Sequence, residues 1–190
     1  MSGRFVISET KPERLPVLDG PEFALIGRSN VGKSSLLECL MGTRDLVRVS
    51  KTPGRTQLLN MFVCDEKCVL VDLPGYGFAQ RSKAERSAMY AMVKAYFAQR
   101  DSLRGVLLLL DARREEVTED DKMMAQWISE HHRPILVVVT KIDLIPKTKR
   151  LHQVRLIEKS LGVPYGMAQL CSAATGEGKA ALMNHLMEMA

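Results

Sequence analysis

A chain of 190 residues with 46% hydrophobic and 26% charged residues has the make-up of one globular domain with a sizeable core, without room for a second domain of ordinary size. Apolar runs such as 106–110 and 135–139 are five residues each, far short of the roughly 20 that a membrane-crossing helix requires. The net charge of +5, with a pI near 9.1, permits a polyanionic partner without demanding one.

In chain order, residues 1–21 mix charged and apolar positions without the apolar stretch of a signal peptide, so a cytoplasmic location is expected. A short apolar run, 23–26, reads as a buried strand. It leads into Gly27-Arg28-Ser29-Asn30-Val31-Gly32-Lys33-Ser34, and residues 35–41 read as a helix. A polar stretch, 42–55, precedes two strands, 57–64 and 67–72, expected to pair antiparallel around an Asp65-Glu66-Lys67 turn. The helix expected at 83–100 places Ala88, Met89, Met92, Val93, Tyr96 and Phe97 on one face. A continuously apolar strand at 105–110 precedes a helix at 119–131 that buries Met123, Met124, Trp127 and Ile128. Then come a strand at 134–139, a basic helix at 147–161 facing Leu151, Val154 and Leu161 inward, a strand at 168–171 and a closing helix at 178–189. Alternating strands and helices predict an α/β fold with a mostly parallel sheet and helices on both faces.

The four cysteines, Cys39, Cys64, Cys68 and Cys171, fall in predicted helix or strand. Cys64 and Cys68 have the spacing of a zinc half-site but no second pair, so buried reduced thiols are expected. His131 and His132 follow a helix, where capping and dipole effects account for them.

The octapeptide ending in Lys33-Ser34 fills the G-x-x-x-x-G-K-[ST] pattern. Strand, glycine-bounded loop and helix start aim backbone N–H groups at one point, where the helix dipole and Lys33 add positive charge. A nucleoside polyphosphate fits such a cradle, with the Ser34 hydroxyl placed to reach its Mg²⁺. Asp72-Leu73-Pro74-Gly75 ends the second hairpin strand. There Asp72 can hold a Mg²⁺-bound water and the Gly75 N–H can meet a γ-phosphate. Thr140-Lys141-Ile142-Asp143 closes the strand 134–139. The Asp143 carboxylate can accept two parallel hydrogen bonds from guanine N1–H and its 2-amino group, while the Lys141 stem lies along the ring. Cys171-Ser172-Ala173 closes the last strand, where a backbone N–H can meet guanine O6. Adenine would leave that donor unpaired, at a cost of about 1–3 kcal/mol. In the stretch Gly54-Arg55-Thr56-Gln57-Leu58, the Thr56 hydroxyl can reach Mg²⁺ and its backbone the γ-phosphate.

These five elements, in this order, resemble the translation-factor-like class of P-loop GTPases. Gly27-Arg28-Ser29-Asn30, Lys51-Thr52-Pro53-Gly54-Arg55-Thr56-Gln57 and Asp72-Leu73-Pro74-Gly75-Tyr76-Gly77 resemble the EngB (YihA/YsxC) family of bacterial GTPases over essentially the whole chain. The resemblance implies a three-layer P-loop fold of the Ras-like G-domain type. Its sheet would have six strands, one of them antiparallel, with residues 1–21 as an extension packed on a single domain. It also implies a GTP-binding protein of large ribosomal subunit assembly, in contact with rRNA and ribosomal proteins and necessary for normal cell division and septation. A monomer with no membrane partner is expected.

Ras-type GTPases place a glutamine directly after D-x-x-G to orient the attacking water. Here that position is Tyr76, so slow intrinsic hydrolysis is expected, with Lys33, Thr56, Gly75 and Asn30 as the catalytic candidates. Asn30 either coordinates a K⁺ ion near the phosphates, as in related potassium-activated GTPases, or stabilises the loop turn. Arg55 is either a finger in cis or a solvated or ribosome-contacting arginine. Lys147, Lys149, Arg150, Arg155 and Lys159, with Arg81, Lys83, Arg113 and Arg114, form either a solvated face or part of an rRNA-contacting surface. Two other function classes compete. A small-molecule P-loop kinase leaves T-K-x-D without a purpose, whereas a GTP-gated docking protein with negligible turnover is consistent with Tyr76.

Overall fold

The computed structural model describes residues 3–43, 58–77, 82–114 and 116–190. The expectations placed on Lys51, Thr52, Pro53, Gly54, Arg55, Thr56, Gln57 and Arg81 lie outside these residues. Among the described residues seven strands form one sheet: β1 (Gly3–Glu9), β2 (Glu22–Gly27), β3 (Leu59–Cys64), β4 (Cys68–Asp72), β5 (Leu103–Asp111), β6 (Ile135–Thr140) and β7 (Gln169–Leu170). Their spatial order is β1-β3-β4-β2-β5-β6-β7. Only β3 runs against the rest, paired antiparallel to both β1 and β4. The sheet therefore has one strand more than the six expected, because part of the N-terminal segment joins it as an edge strand rather than packing outside it.

Among the described residues five α-helices, α1 (Lys33–Met41), α2 (Lys83–Gln99), α3 (Glu119–Glu130), α4 (Lys147–Leu161) and α5 (Lys179–Glu188), cover the two faces. Side-chain alternation sorts the core. Leu107 and Leu109 of β5 meet Leu36, Leu40 and Leu186 on the α1–α5 face. Val106 and Leu108 meet Val93, Phe97 and Met124 on the α2–α3 face, and Val137 and Val139 of β6 meet Val154 and Ile157 of α4. Burial on both faces is why β2, β5 and β6 read as unbroken apolar runs.

Two helix starts carry capping boxes. Ser82 and Glu85 satisfy each other's backbone amides at α2, as Thr118 and Asp121 do at α3; each N-cap contributes about 1 kcal/mol. At the opposite end of the sheet from the loops described below, Arg100 donates to Glu22 Oε2 at 2.5 Å and to the carbonyls of Leu15 and Pro16. This buried pair anchors the segment between β1 and β2.

Three helix faces differ from expectation. Ala88 is exposed on α2, where Met89, Val93, Tyr96 and Phe97 supply the buried stripe. Met123 is 56% exposed on α3 and Leu151 61% exposed on α4. Ile157 joins Val154 in the buried face of α4; it and Leu151 lie symmetrically three residues either side of Val154, so packing and not the helical period decides between them. Trp127 is half-buried, with His131 stacked on it at a centroid distance of 4.3 Å. All four cysteines are free, and Cys64 and Cys68 face each other across the β3–β4 hairpin. Among the described residues no helix is long and apolar enough to cross a membrane.

Candidate functional site

The site lies at the C-terminal ends of the parallel strands, where the loops after β2, β4, β6 and β7 converge. β2 ends at Gly27, where the close packing demands glycine: a Cβ there would lie 2.9 Å from Val31 Cγ1 and 3.0 Å from Leu109 Cβ. The chain then turns through Asn30, whose φ of +62° is one that asparagine tolerates. It enters α1 from Gly32, whose φ of +103° suits glycine. No side chain caps α1 and its first turn carries no acidic residue. Its N-terminal amides and dipole therefore face the loop without a capping side chain or an acid from the helix's own first turn.

Lys33 Nζ forms an ion pair with Asp72 Oδ1, joining the phosphate-loop lysine to the end of β4. Asp72 Oδ2 accepts a hydrogen bond from Asn60 Nδ2 at 3.3 Å. The next residues, Leu73 and Pro74, are buried, and Gly75 lines the same cleft as Ser29, Lys33 and Ser34, a space of about 470 Å³. Tyr76 N–H then donates to Gly27 O, and Ser29 N–H donates to Tyr76 O, each at 3.3 Å. The loop after β4 is thereby laced to the loop after β2.

The Tyr76 phenol points away from the cleft. It is 3% exposed and donates to Asp121 Oδ1 at 2.8 Å. Burial, then the Asp121 charge, push its ionisation upward, so it stays a neutral donor. Asp121 Oδ2 in turn accepts from Thr118 Oγ1, to which Arg28 Nη1 donates at 2.9 Å.

At the other end of the cleft, Thr140 Oγ1 shares its single proton between Val31 O at 2.6 Å and Leu110 O at 3.0 Å. Lys141 adopts a left-handed conformation with φ of +59°. Its Nζ donates to Asn30 O at 2.6 Å and to Asp111 Oδ2 at 2.9 Å. Burial raises the Asp111 carboxyl, but hydrogen bonds from Arg113 and Lys141 outweigh it and hold the group at about 2. Ile142 N–H donates to Cys171 O, tying the β6 loop to the β7 loop. Lys141, Asp143, Cys171 and Ala173, with Gly32, Ser35 and Leu144, line a mostly apolar cleft of about 320 Å³. Gly32, Ser35 and Lys141 also line the phosphate-loop cleft, so the two adjoin. Ser172 is buried, its backbone N–H bonded to Glu177 O and its hydroxyl accepting from Thr175 N–H. Cys171 is buried too, and that burial pushes its thiol up to about 12.

The structure thus brings Gly27, Arg28, Ser29, Asn30, Val31, Gly32, Lys33 and Ser34 together with Asp72, Gly75, Lys141, Asp143, Cys171 and Ala173. Leu58 lies directly before β3, at the near edge of the segment left undescribed. Sequence reasoning missed Asn60, Asp111, Thr118 and Asp121. The Thr118-x-x-Asp121 spacing is a capping-box signal, and Asp111 is an acid at the end of an apolar strand. Asn60 carries no local signal.

The profile of a protein family described as "50S ribosome-binding GTPase" matches residues 22–141. A probable GTP-binding protein EngB from Geobacter sulfurreducens is 44% identical over 181 residues, covering 95% of this chain and 87% of that protein. One from Bacillus cereus is 43% identical over 175 residues, covering 92% and 88%. Among solved structures, that of a probable GTP-binding protein engB superposes with a TM-score of 0.72 at 24% identity, covering 88% of this chain and 97% of that one; at that identity it shows the fold alone. Relatives so similar over nearly their whole length settle the assignment: this chain belongs to the EngB family of GTP-binding P-loop GTPases.

Proposed function

We propose that the chain is a single G domain over residues 1–190 that hydrolyses GTP to GDP as a Mg²⁺-dependent conformational switch. The observation that carries this reading is the adjacency of two unlike clefts that share Gly32, Ser35 and Lys141 as walls. One is polar and lies at the N-terminus of α1; the other is mostly apolar and is bordered by Asp143, Cys171 and Ala173, with Ser172 buried behind it, its N–H bonded to Glu177 O. A triphosphate suits the first and a guanine the second. In this reading residues Gly27 to Ser34 hold the phosphates, with Thr140 and Ile142 bracing the base loop.

The donor set suits Mg²⁺, a hard cation that prefers oxygen. The Ser34 and Thr56 hydroxyls would hold it, with Asp72 behind a bound water. When bound, the ion neutralises charge on the phosphates. Lys33 leaves Asp72 to meet the phosphates, and GTP orders Thr56 together with the Gly75–Tyr76 loop, in which the Tyr76 side chain stays anchored on Asp121. Intrinsic turnover is slow, because Tyr76 is held in the interior and orients no water. K⁺ held by Asn30 raises it.

The GTP-ordered loops, together with the exposed Lys147, Lys149, Arg155 and Lys159 of α4 and the neighbouring Arg113 and Arg114, form the surface for large ribosomal subunit precursors in the cytoplasm. The protein acts there as a monomer, and normal cell division and septation depend on that work. The test of the enzymatic part is release of phosphate from GTP by the purified protein with Mg²⁺. Slow release that Lys33→Ala abolishes is the expected result. No release alone or on ribosomal particles would leave a GTP-gated docking protein instead.

A further inference from the structure

Ser8, Asn60 and Asp72 form a row across three neighbouring strands, in register as Ser8 opposite Asn60 and Asn60 opposite Asp72. The row exists because of an irregularity in β1. Between Phe5 and Ile7 the register slips by one residue; in the unbroken register that pairs Phe5 with Phe62, Ile7 would stand opposite Asn60. The bulge leaves Val6 and Ile7 against the α2–α3 core, while Phe5 packs toward α1. Ser8 is thereby delivered to the α1 side, where Asn60 stands.

The contacts run one way. Ser8 Oγ donates to Asn60 Oδ1 at 2.6 Å, which fixes the amide with its NH₂ toward β4. Asn60 Nδ2 then donates to Asp72 Oδ2 at 3.3 Å. Asn60 is 8% exposed and Asp72 6%, so the Asn60–Asp72 step is shielded from water, while Ser8 is half-buried at the sheet edge. Asp72 Oδ1 is left to Lys33. Asn60 therefore decides which carboxylate oxygen faces the nucleotide cleft and keeps the carboxylate oriented when Lys33 leaves.

We propose that Asn60 is a positioning residue for Asp72, oriented by Ser8 of the edge strand, and that this row sets the Mg²⁺ affinity of the nucleotide complex. The inference rests on the Mg²⁺-dependent reading given above. Its test is the release of fluorescent GDP from the full chain across a Mg²⁺ titration and in excess EDTA, for the parent, Asn60→Leu and Ser8→Ala. Asn60→Leu should raise the Mg²⁺ concentration giving half-maximal retention by about tenfold, within the range for partners of metal-orienting groups. Ser8→Ala should raise it by a smaller factor, and release in EDTA should stay at the parent rate in both. Parental Mg²⁺ dependence in Asn60→Leu would overturn the proposal, as would equal acceleration with and without Mg²⁺, which marks a merely structural role. If Asn60→Leu does not fold, Ser8→Ala, which loses only a hydroxyl at the sheet edge, carries the same test. Mg²⁺-independent release from the parent would instead remove the metal reading itself, and this inference with it.

Discussion

The Tyr76 hydroxyl donates to Asp121 Oδ1 at 2.8 Å inside the protein, and through Asp121 and Thr118 it is joined to Arg28 of the phosphate loop. The residue that stands where other GTPases keep a water-orienting glutamine is thus used as a structural bolt. It fixes the loop after β4 to the start of α3.

Breaking that bolt should cost stability. Tyr76→Phe removes one hydrogen bond to a charged group while keeping the ring, so a loss of about 1–2 kcal/mol is expected by urea denaturation. Asp121→Ala should cost more, because it strands the buried phenol and removes the N3 member of a capping box. Unchanged midpoints in both variants would contradict the geometry.

Asp111 gives a pH signature. Its folded value of about 2 lies below the ordinary 3.8, so the stabilisation it provides is fully present above about pH 4 and is lost as pH falls toward 2. Partial exposure of its partner Arg113 reduces the effect to about 1–2 kcal/mol. In an acid titration of stability, the gap between the parent and Asp111→Asn should close between about pH 4 and 2 and stay constant above pH 5. A gap independent of pH down to 2 would exclude the pairing.

Base recognition is read by competition. Asp143→Ala should reduce the preference for GTP over ATP by about 10- to 100-fold, the value of hydrogen bonds to a charged group. Isothermal titration with both nucleotides measures it. An unchanged preference would move guanine recognition away from the Asp143 cleft.

The K⁺ reading needs a substitution that respects the backbone. Because Asn30 holds a φ of +62°, Asn30→Ala would strain the loop, whereas Asn30→Gly keeps the conformation and removes only the side chain. Parent turnover should be faster in K⁺ than in Na⁺, and Asn30→Gly should erase the difference without lowering the thermal midpoint. Equal parent rates in the two salts would rule the cation out.

What the sequence revealed and what it hid follow from range. Gly27 to Ser34 are contiguous, and the ends of β4, β6 and β7 are marked by short polar motifs after apolar runs, so the clefts were legible from local pattern. The edge strand β1 was not, because the bulge between Phe5 and Ile7 breaks its two-residue alternation. Asn60 meets Asp72 and Ser8 at 12 and 52 residues' distance and Asp111 meets Lys141 at 30, pairings that one sequence does not display. Met123 and Leu151 were misplaced because an apolar residue beside a helical stripe satisfies the pattern within one position, and only packing decides.

The most direct measurement of the central claim, a switch that engages the assembling ribosome only with GTP bound, is sedimentation of the protein with large-subunit precursors. It is run in GDP and in a non-hydrolysable GTP analogue. The account predicts co-sedimentation in the analogue and its loss in GDP. Equal sedimentation in the two, or none in either, would contradict it.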